Sequence, residues 1–225
     1  MKKFMIAMAV AGLCAGSTAT AKKLIALSFD DGPNTTTTVN TLNVLEEHDV
    51  VATFFVIGNN INDKTAEVMN RAIDMGCDIQ NHSLTHTQMA ALPAERVQNE
   101  IKQTSDLIEK YTGNRPEFFR PPYISVSPQM YDNIDLTFIC GLGCNDWENS
   151  VSAEQRAETV INNAADGLIV MLHDFTGNEQ TVEALKIIIP ELKKQGYKFV
   201  TIPELFKKKK IKPVHSTMYS NVLTD

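Results

Sequence analysis

The sequence lacks the residue excesses that mark fibrous, disordered or membrane-embedded chains. Its 225 residues include 11 glycines, 9 prolines and 4 cysteines, and 43% are hydrophobic against 21% charged. These shares are close to ordinary globular usage, which excludes a collagen-like repeat, a disordered chain and a multispan membrane protein. A chain of this length can bury a sizeable core without disulfide bonds.

An excess of positive charge is also missing. Lysine and arginine number 21 against 27 aspartates and glutamates, so the formal net charge is −6. This balance argues against nucleic acid as a partner. No helix carries the His-Glu-x-x-His pattern of a metalloprotease, and no feature points to an obligate protein partner.

Cysteines are few, and none of them forms a Cys-x-x-Cys metal pattern. Beyond the N-terminal segment three remain, Cys77, Cys140 and Cys144. An odd number allows at most one intramolecular bridge, and the sequence does not pair it. We expect at least one of the three to be a small buried apolar residue.

The N-terminal segment has the parts of a secretory signal peptide. Two lysines precede the apolar run 4–16, and the segment ends in Ala19-Thr20-Ala21. The run is too short to span a bilayer, so no membrane span is expected. We predict a signal peptide over residues 1–21 and a secreted protein. A surface amphipathic helix and a lipid anchor at Cys14 are the less favoured alternatives.

Residues 22–206 alternate between apolar strands and amphipathic helices without repeats or linkers. Such alternation predicts parallel strands joined by crossover helices, with about seven strands in one domain. Seven units in this length are too compact for an ordinary eight-unit barrel. We therefore predict the α/β class with a distorted, incomplete (β/α) barrel. Residues 207–225 begin with a lysine-rich run and are predicted to form a basic C-terminal tail.

Polar residues of the types that bind metals or move protons stand where the predicted strands end. In parallel α/β folds the carboxyl ends of the strands meet at one rim, so these side chains should gather there. The residues are Asp30-Asp31, His82 and His86, Arg120, Asp146 and His173.

This set predicts a metal centre with acid–base groups around it. His82, His86 and one carboxylate make an open three-ligand site for a divalent metal, with zinc as the default and cobalt, nickel or manganese as alternatives. The second aspartate is then free to face the bound water. His173 suits a general acid, because an imidazole titrates near neutral pH.

Five ordered motifs resemble those of the polysaccharide deacetylases of carbohydrate esterase family four. The match spans roughly residues 24–206, nearly the whole predicted mature chain. The motifs are Ser28-Phe29-Asp30-Asp31-Gly32-Pro33, His82-Ser83-Leu84-Thr85-His86, Arg120-Pro121-Pro122-Tyr123, Asp146-Trp147 and His173-Asp174.

The resemblance implies an incomplete β/α barrel that removes acetyl groups from polymeric carbohydrate with a bound metal. It assigns Asp31, His82 and His86 as metal ligands and Asp30 as general base. Arg120 then holds the base.

The resemblance also assigns the acid and the substrate contacts. His173 is the general acid, Asp146 orients it, and the backbone N–H of Tyr123 helps to bind the oxyanion. The residues implied to contact substrate are Tyr123, Trp147, Met171 and Leu172. Ile124 stands where many relatives have glycine, which implies a differently shaped loop.

The substrate is less specified than the chemistry. Segments 135–147 and 187–206 resemble the subgroup that contains acetylxylan esterases, so O-acetyl xylan is favoured. Chitin or another N-acetylglucosamine polymer such as peptidoglycan comes next. The competing class is a non-catalytic carbohydrate-binding relative that uses the same groove.

Overall fold

The computed structural model describes residues 23–223. The predicted signal peptide lies outside these residues. Strands and helices alternate as expected. The strands are β1 (Lys23–Asp30), β2 (Thr53–Val56), β3 (Asp78–Asn81), β4 (Phe118–Phe119), β5 (Thr137–Ile139), β6 (Leu142–Gly143), β7 (Leu168–His173), β8 (Tyr197–Phe199) and β9 (Met218–Tyr219). The helices are α1 (Thr37–Glu47), α2 (Asp63–Asp74), α3 (Ala94–Thr112), α4 (Pro128–Asn133), α5 (Ala153–Asn162), α6 (Glu179–Lys194) and α7 (Ile202–Lys209).

All pairs of named strands are parallel, and they form one curled sheet in the order β6-β7-β1-β2-β3-β4-β5-β9, with β8 beside β1. β1 is central because it pairs with β7 over residues 25–30 and with β2 over residues 28–30. This arrangement confirms the predicted α/β class and the incomplete (β/α) barrel in a single domain.

The strand that follows β4 is broken at Cys140-Gly141. Its first half, β5, pairs with β4, and its second half, β6, pairs with β7. A side chain at Gly141 would approach the Met171 Cβ to 2.9 Å, so the break needs a glycine for its close contact with β7. The break brings the far edge of the sheet back to β7, which curls the sheet into a barrel.

Alternating residues of the strands separate an interior from an outer core. On β1, Ile25, Leu27 and Phe29 belong to the large apolar cluster that the helices cover. Ala26 instead joins a second cluster, and Ser28 and Asp30 are buried polar residues with the same parity. The two faces of a strand alternate with period two, so Asp30 is carried into the barrel by its register.

The end of the chain differs from the predicted basic tail. Helix α7 extends to Lys209, β9 pairs with β5, and Val222 is buried in the interior cluster. Segment 220–222 also bonds to the start of β7, because Ile169 donates its N–H to the Ser220 carbonyl. β5 and β7 do not pair with each other beside this segment. Backbone groups of the C-terminal segment bond to their N–H and C=O groups instead. The boundary predicted at residue 206 therefore does not coincide with the edge of the fold.

The three cysteines are unpaired in the part of the chain that the structure describes. Burial raises the pKa of Cys77 to about 11 and that of Cys144 to about 12, so both thiols stay protonated at neutral pH. They behave as buried apolar residues, as expected. Across residues 23–223, no helix is both long and apolar enough to cross a bilayer.

Candidate active site

The carboxyl ends of four strands bring the predicted polar residues together. Asp30 ends β1, His82 follows β3 and Arg120 follows β4, while His173 is the last residue of β7. The parallel register aligns them, because Asp30 stands opposite His173 across the β1–β7 pair. The predicted gathering at one rim is therefore present.

Asp31, His82 and His86 form a three-ligand cluster. The Asp31 Oδ1 lies 3.4 Å from His82 Nε2 and 3.3 Å from His86 Nε2. A tetrahedral ion with bonds of about 2.0–2.1 Å holds its ligand atoms roughly 3.3 Å apart. Among residues 23–223 this is the one cluster of histidine, cysteine or carboxylate ligands whose donor atoms converge within 4.8 Å.

The protonation and bonding of these groups fit a metal. The Asp31 Oδ1 is buried and has no hydrogen-bond partner within the described chain. The His82 Nδ1 lies 2.7 Å from the Arg120 carbonyl, so it carries the proton and leaves Nε2 free to bind. Burial and the neighbouring His82 lower the pKa of His86 and favour the neutral, ligating ring.

Asp30 lies near the same cluster, with its Oδ2 3.9 Å from His82 Nε2, but its main partner is Arg120. Its Oδ1 accepts a hydrogen bond of 2.6 Å from Arg120 Nη1, and both side chains are buried. Arg120 is fixed in turn by Ser28 Oγ and the Cys140 carbonyl, each at 2.8 Å, and its guanidinium stacks on the Phe55 ring. The buried Asp30 carboxylate therefore has a buried cation as its direct partner.

His173 is held on the opposite side of the site. Its Nδ1 lies 2.8 Å from Asp146 Oδ1, and its backbone N–H donates to Asp146 Oδ2 at 2.7 Å. Burial lowers the pKa of His173. The hydrogen bond and charge of Asp146, with the charges of Asp30 and Asp31, outweigh it and raise the pKa to about 9. The ring is therefore protonated at neutral pH, with Nε2 left as the free donor.

These groups open into a cavity of about 490 Å³ with an apolar wall. Tyr123 and Trp147 lie at its edge with 68% and 45% of their surface exposed, and Met171 lies in the wall. A volume in this range is typical of small-molecule sites. The implied contacts of Tyr123, Trp147 and Met171 are thus placed at one opening.

Leu172 does not line this cavity, although the resemblance implies that it does. Its side chain is fully buried in the outer core under the helices. Adjacent strand residues face opposite sides, so Met171 and Leu172 cannot both point into the barrel. Met171 and His173 share the inward face, and the assignment of Leu172 to the pocket is wrong.

Backbone strain concentrates around the site. Of eight non-glycine residues with positive φ within the described chain, the six at the site are Asp31, Ser83, His86, Tyr123, Ile124 and Asn145. Left-handed backbone costs roughly 1–3 kcal/mol per residue and is retained where the surroundings fix it. At φ 51° the β-branched Ile124 keeps a conformation that favours glycine, despite its side chain.

Two supporting carboxylates are missing from the sequence-based assignment of roles. Glu100 on α3 is buried and accepts hydrogen bonds from the N–H groups of Leu84 and Thr85, which fixes the loop between the two histidines. Asp174 is buried against Gly32, where a Cβ would lie 2.8 Å from its carboxylate. Glu100 shares the apolar face of α3, and a charge on such a face is the signal that identifies it.

Comparison with known proteins identifies the family of this chain. The polysaccharide deacetylase family model matches residues 17–137, just over half of the chain. A bifunctional xylanase/deacetylase of Pseudobutyrivibrio xylanivorans is 51% identical over 202 residues, 89% of this chain and 33% of that protein. A peptidoglycan-N-acetylglucosamine deacetylase of Listeria monocytogenes is 36% identical over 188 residues, 83% of this chain and 40% of that protein.

A solved structure extends the likeness to the whole fold. The family 4 acetyl xylan esterase of Clostridium thermocellum, in complex with a cobalt ion, aligns with a TM-score of 0.87 and 44% identity. The alignment covers 90% of this chain and all of that one. The chain belongs to the polysaccharide deacetylase family, carbohydrate esterase family four, a class of hydrolases. It spans about a third of the length of its 51% identical relative.

Proposed function

We propose that this chain is a metal-dependent deacetylase that hydrolyses acetyl groups on a carbohydrate polymer, with O-acetylated xylan as the favoured substrate. One observation carries the proposal. A three-ligand cluster, a buried carboxylate on an arginine and an imidazole on a carboxylate all face one cavity. Each has the partner that its role requires.

Metal binding, proton removal and oxyanion stabilisation are assigned to different residues. Asp31, His82 and His86 would hold the divalent metal, most simply zinc, which when bound lowers the pKa of water toward about 7 and polarises a carbonyl. Asp30 accepts a proton from the attacking water while the oxygen of that water bonds to the acetyl carbon. The backbone N–H of Tyr123 stabilises the negative charge on the carbonyl oxygen.

His173 completes the reaction on the leaving-group side. The bond between the acetyl carbon and the sugar oxygen breaks, and its electron pair goes to that oxygen. Nε2 of His173 donates its proton there, which releases a free sugar hydroxyl and acetate. The same groups can act on an acetamide, in which case the proton goes to the departing amine nitrogen.

The choice of xylan rests on the relatives and the cavity wall. Identity is higher with the xylanase/deacetylase, at 51%, than with the peptidoglycan deacetylase, at 36%. The exposed rings of Tyr123 and Trp147 offer apolar faces for a pyranose. A polymeric substrate outside the cell is also consistent with the proposed signal peptide at residues 1–21 and with secretion.

Acetate release with metal analysis tests the function. The zinc-loaded protein is incubated with acetylxylan, with chitin oligomers and with N-acetylated peptidoglycan, and acetate is quantified. We expect release from acetylxylan fastest, and loss of release after chelation with recovery on adding zinc, cobalt, nickel or manganese. Release from chitin oligomers alone would overturn the xylan assignment. Bound metal without release from any substrate would favour a non-catalytic carbohydrate-binding protein.

A further inference from the structure

One buried cation beside the site takes no part in the proposed chemistry. Arg156 lies on the inner side of α5 and is 1% exposed. Within residues 23–223 it forms no salt bridge, and its four hydrogen-bond acceptors are all neutral. A buried guanidinium without a direct counter-ion carries a substantial desolvation penalty, and an apolar side chain of similar size would avoid it.

The acceptors of Arg156 show where its charge acts. Its Nη1 donates to Asn178 Oδ1 at 2.7 Å and to Thr181 Oγ1 at 2.9 Å. The Thr181 hydroxyl then donates to Asp146 Oδ2 at 2.8 Å. The Asp146 carboxylate is therefore separated from the guanidinium by a single hydroxyl group. Asp146 in turn binds His173.

A second arm reaches the same histidine. The amide of Asn178 accepts from Arg156 and donates through Nδ2 to the His173 carbonyl at 2.9 Å. The arm through Thr181 therefore fixes Asp146, the partner of the imidazole, and the arm through Asn178 fixes the backbone of His173. The remaining donors of Arg156 bind the carbonyls of Val151 and Glu148, which anchors the guanidinium itself.

We propose that Arg156 is a positioning residue for the general acid, acting on His173 through Thr181 with Asp146 and through Asn178. Its cation lies one hydroxyl away from the Asp146 carboxylate, and its planar fork holds Thr181 and Asn178 at fixed angles. Asp146 in turn holds the His173 ring so that Nε2 donates its proton to the departing sugar oxygen. The inference rests on the proposed deacetylase function, because the proton has a use only in that reaction.

The dependence on the leaving group separates positioning from general packing. An alkoxide leaving from xylan needs a proton, whereas 4-nitrophenolate leaves as a stable anion without one. For Arg156→Met we expect acetate release from acetylxylan to fall about 10–100-fold, and hydrolysis of 4-nitrophenyl acetate to fall less than about threefold. Arg156→Lys keeps the charge and should recover part of the loss.

Two further variants sharpen the comparison. Thr181→Val breaks one arm with little change of volume, and it should reproduce the leaving-group effect even if Arg156→Met folds poorly. Arg71→Met removes a half-exposed arginine on α2 that pairs with Glu46, and it should leave both activities unchanged. Equal losses on both substrates for Thr181→Val and Arg156→Lys would show a packing role only and overturn the inference.

A spectroscopic measurement keeps the inference independent of activity. The proton shared by His173 Nδ1 and Asp146 should give a downfield ¹H NMR signal, assigned by its absence in His173→Gln. We expect this signal to shift or broaden in Thr181→Val and to stay in place in Arg71→Met. An unchanged signal in Thr181→Val would contradict the inference. Absence of acetate release from the wild-type protein would instead count against the proposed function.

Discussion

Two adjacent aspartates, proposed as base and metal ligand, point in different directions because the backbone turns between them. Asp30 keeps the strand register and points into the barrel toward Arg120. Asp31 has a φ of 76°, which swings its carboxylate toward His82 and His86. The separation of the proposed base from the proposed metal ligand therefore follows from one left-handed residue.

Replacing each aspartate by asparagine separates the two roles. Asp30→Asn keeps the metal ligands, and it should lower turnover on acetylxylan by about 10²–10⁴-fold while metal remains bound. Asp31→Asn serves as the matched variant and should lose metal as well as activity. The measurement is metal content by mass spectrometry beside acetate release. Near-wild-type turnover in Asp30→Asn would exclude it as the base.

The pH dependence of turnover should report on His173. Its pKa is raised to about 9 in the folded protein, so the acid form is present at neutral pH and is lost as pH rises through that value. The stabilisation from the His173–Asp146 pair has the same sign: it is complete below the usual histidine pKa and disappears on the alkaline side. Activity should therefore decline above about pH 9.

Asp146→Asn tests the cause of this alkaline limb. Asparagine keeps the shape but removes the charge that raises the pKa of His173, so the limb should move toward lower pH. A bound dication would counter Asp30 and Asp31 in both proteins, and the difference between wild type and variant isolates Asp146. The readout is kcat/KM for acetate release from pH 5 to 10, corrected for spontaneous hydrolysis. An alkaline limb at the same pH in both proteins would contradict the assignment.

At the scale of elements, periodicity was sufficient for most of the fold. The alternation of apolar strands and amphipathic helices predicted for residues 22–206 is present in the structure from β1 to α7. The gathering of polar side chains at one rim was also predictable, because parallel strands end at one edge and polar residues stand at those ends. These features depend on patterns within a short window of sequence.

Features that depend on contacts between distant segments were not predicted. The break between β5 and β6 at Cys140-Gly141 is set by the approach of β7. The parity of Met171 and Leu172 required the exact register of β7, which the five motifs do not specify. Glu100 and Arg156 did leave a signal, since each is a charged residue on the apolar face of its helix.

At the scale of the whole molecule, the C-terminal segment completes the barrel and is linked to the site through Cys140. Gly167, at φ +90°, lies against the Val222 carbonyl so closely that any side chain there would collide with it. The Val222 N–H bonds back to the Gly167 carbonyl at 2.7 Å. Further up, Cys140 donates its N–H to Tyr219, while its carbonyl accepts from the arginine that holds the proposed base.

Closure of the barrel by the C-terminal segment predicts that the side chains of Val222 and Leu223 contribute differently to the free energy of unfolding. Val222 is buried in the interior cluster, whereas Leu223 is 57% exposed. Val222→Ala removes two buried methyl groups and should lower the free energy of unfolding by about 1.5–2.5 kcal/mol. For a chain of this size the melting temperature would fall by roughly 3–8 °C. Leu223→Ala should stay within about 0.5 kcal/mol of wild type.

Thermal unfolding of the metal-free proteins by circular dichroism measures both variants, and truncation after Pro213 extends the test. Truncation removes β9 together with segment 220–222 and leaves the β5 edge and the first residues of β7 without those partners. It should therefore destabilise the protein more than Val222→Ala. It should also lower acetate release at temperatures where the truncated chain remains folded, because Cys140 then loses Tyr219 and no longer fixes Arg120. A truncated protein with wild-type melting temperature and turnover would show that residues 214–225 are a solvated tail, as predicted for residues 207–225.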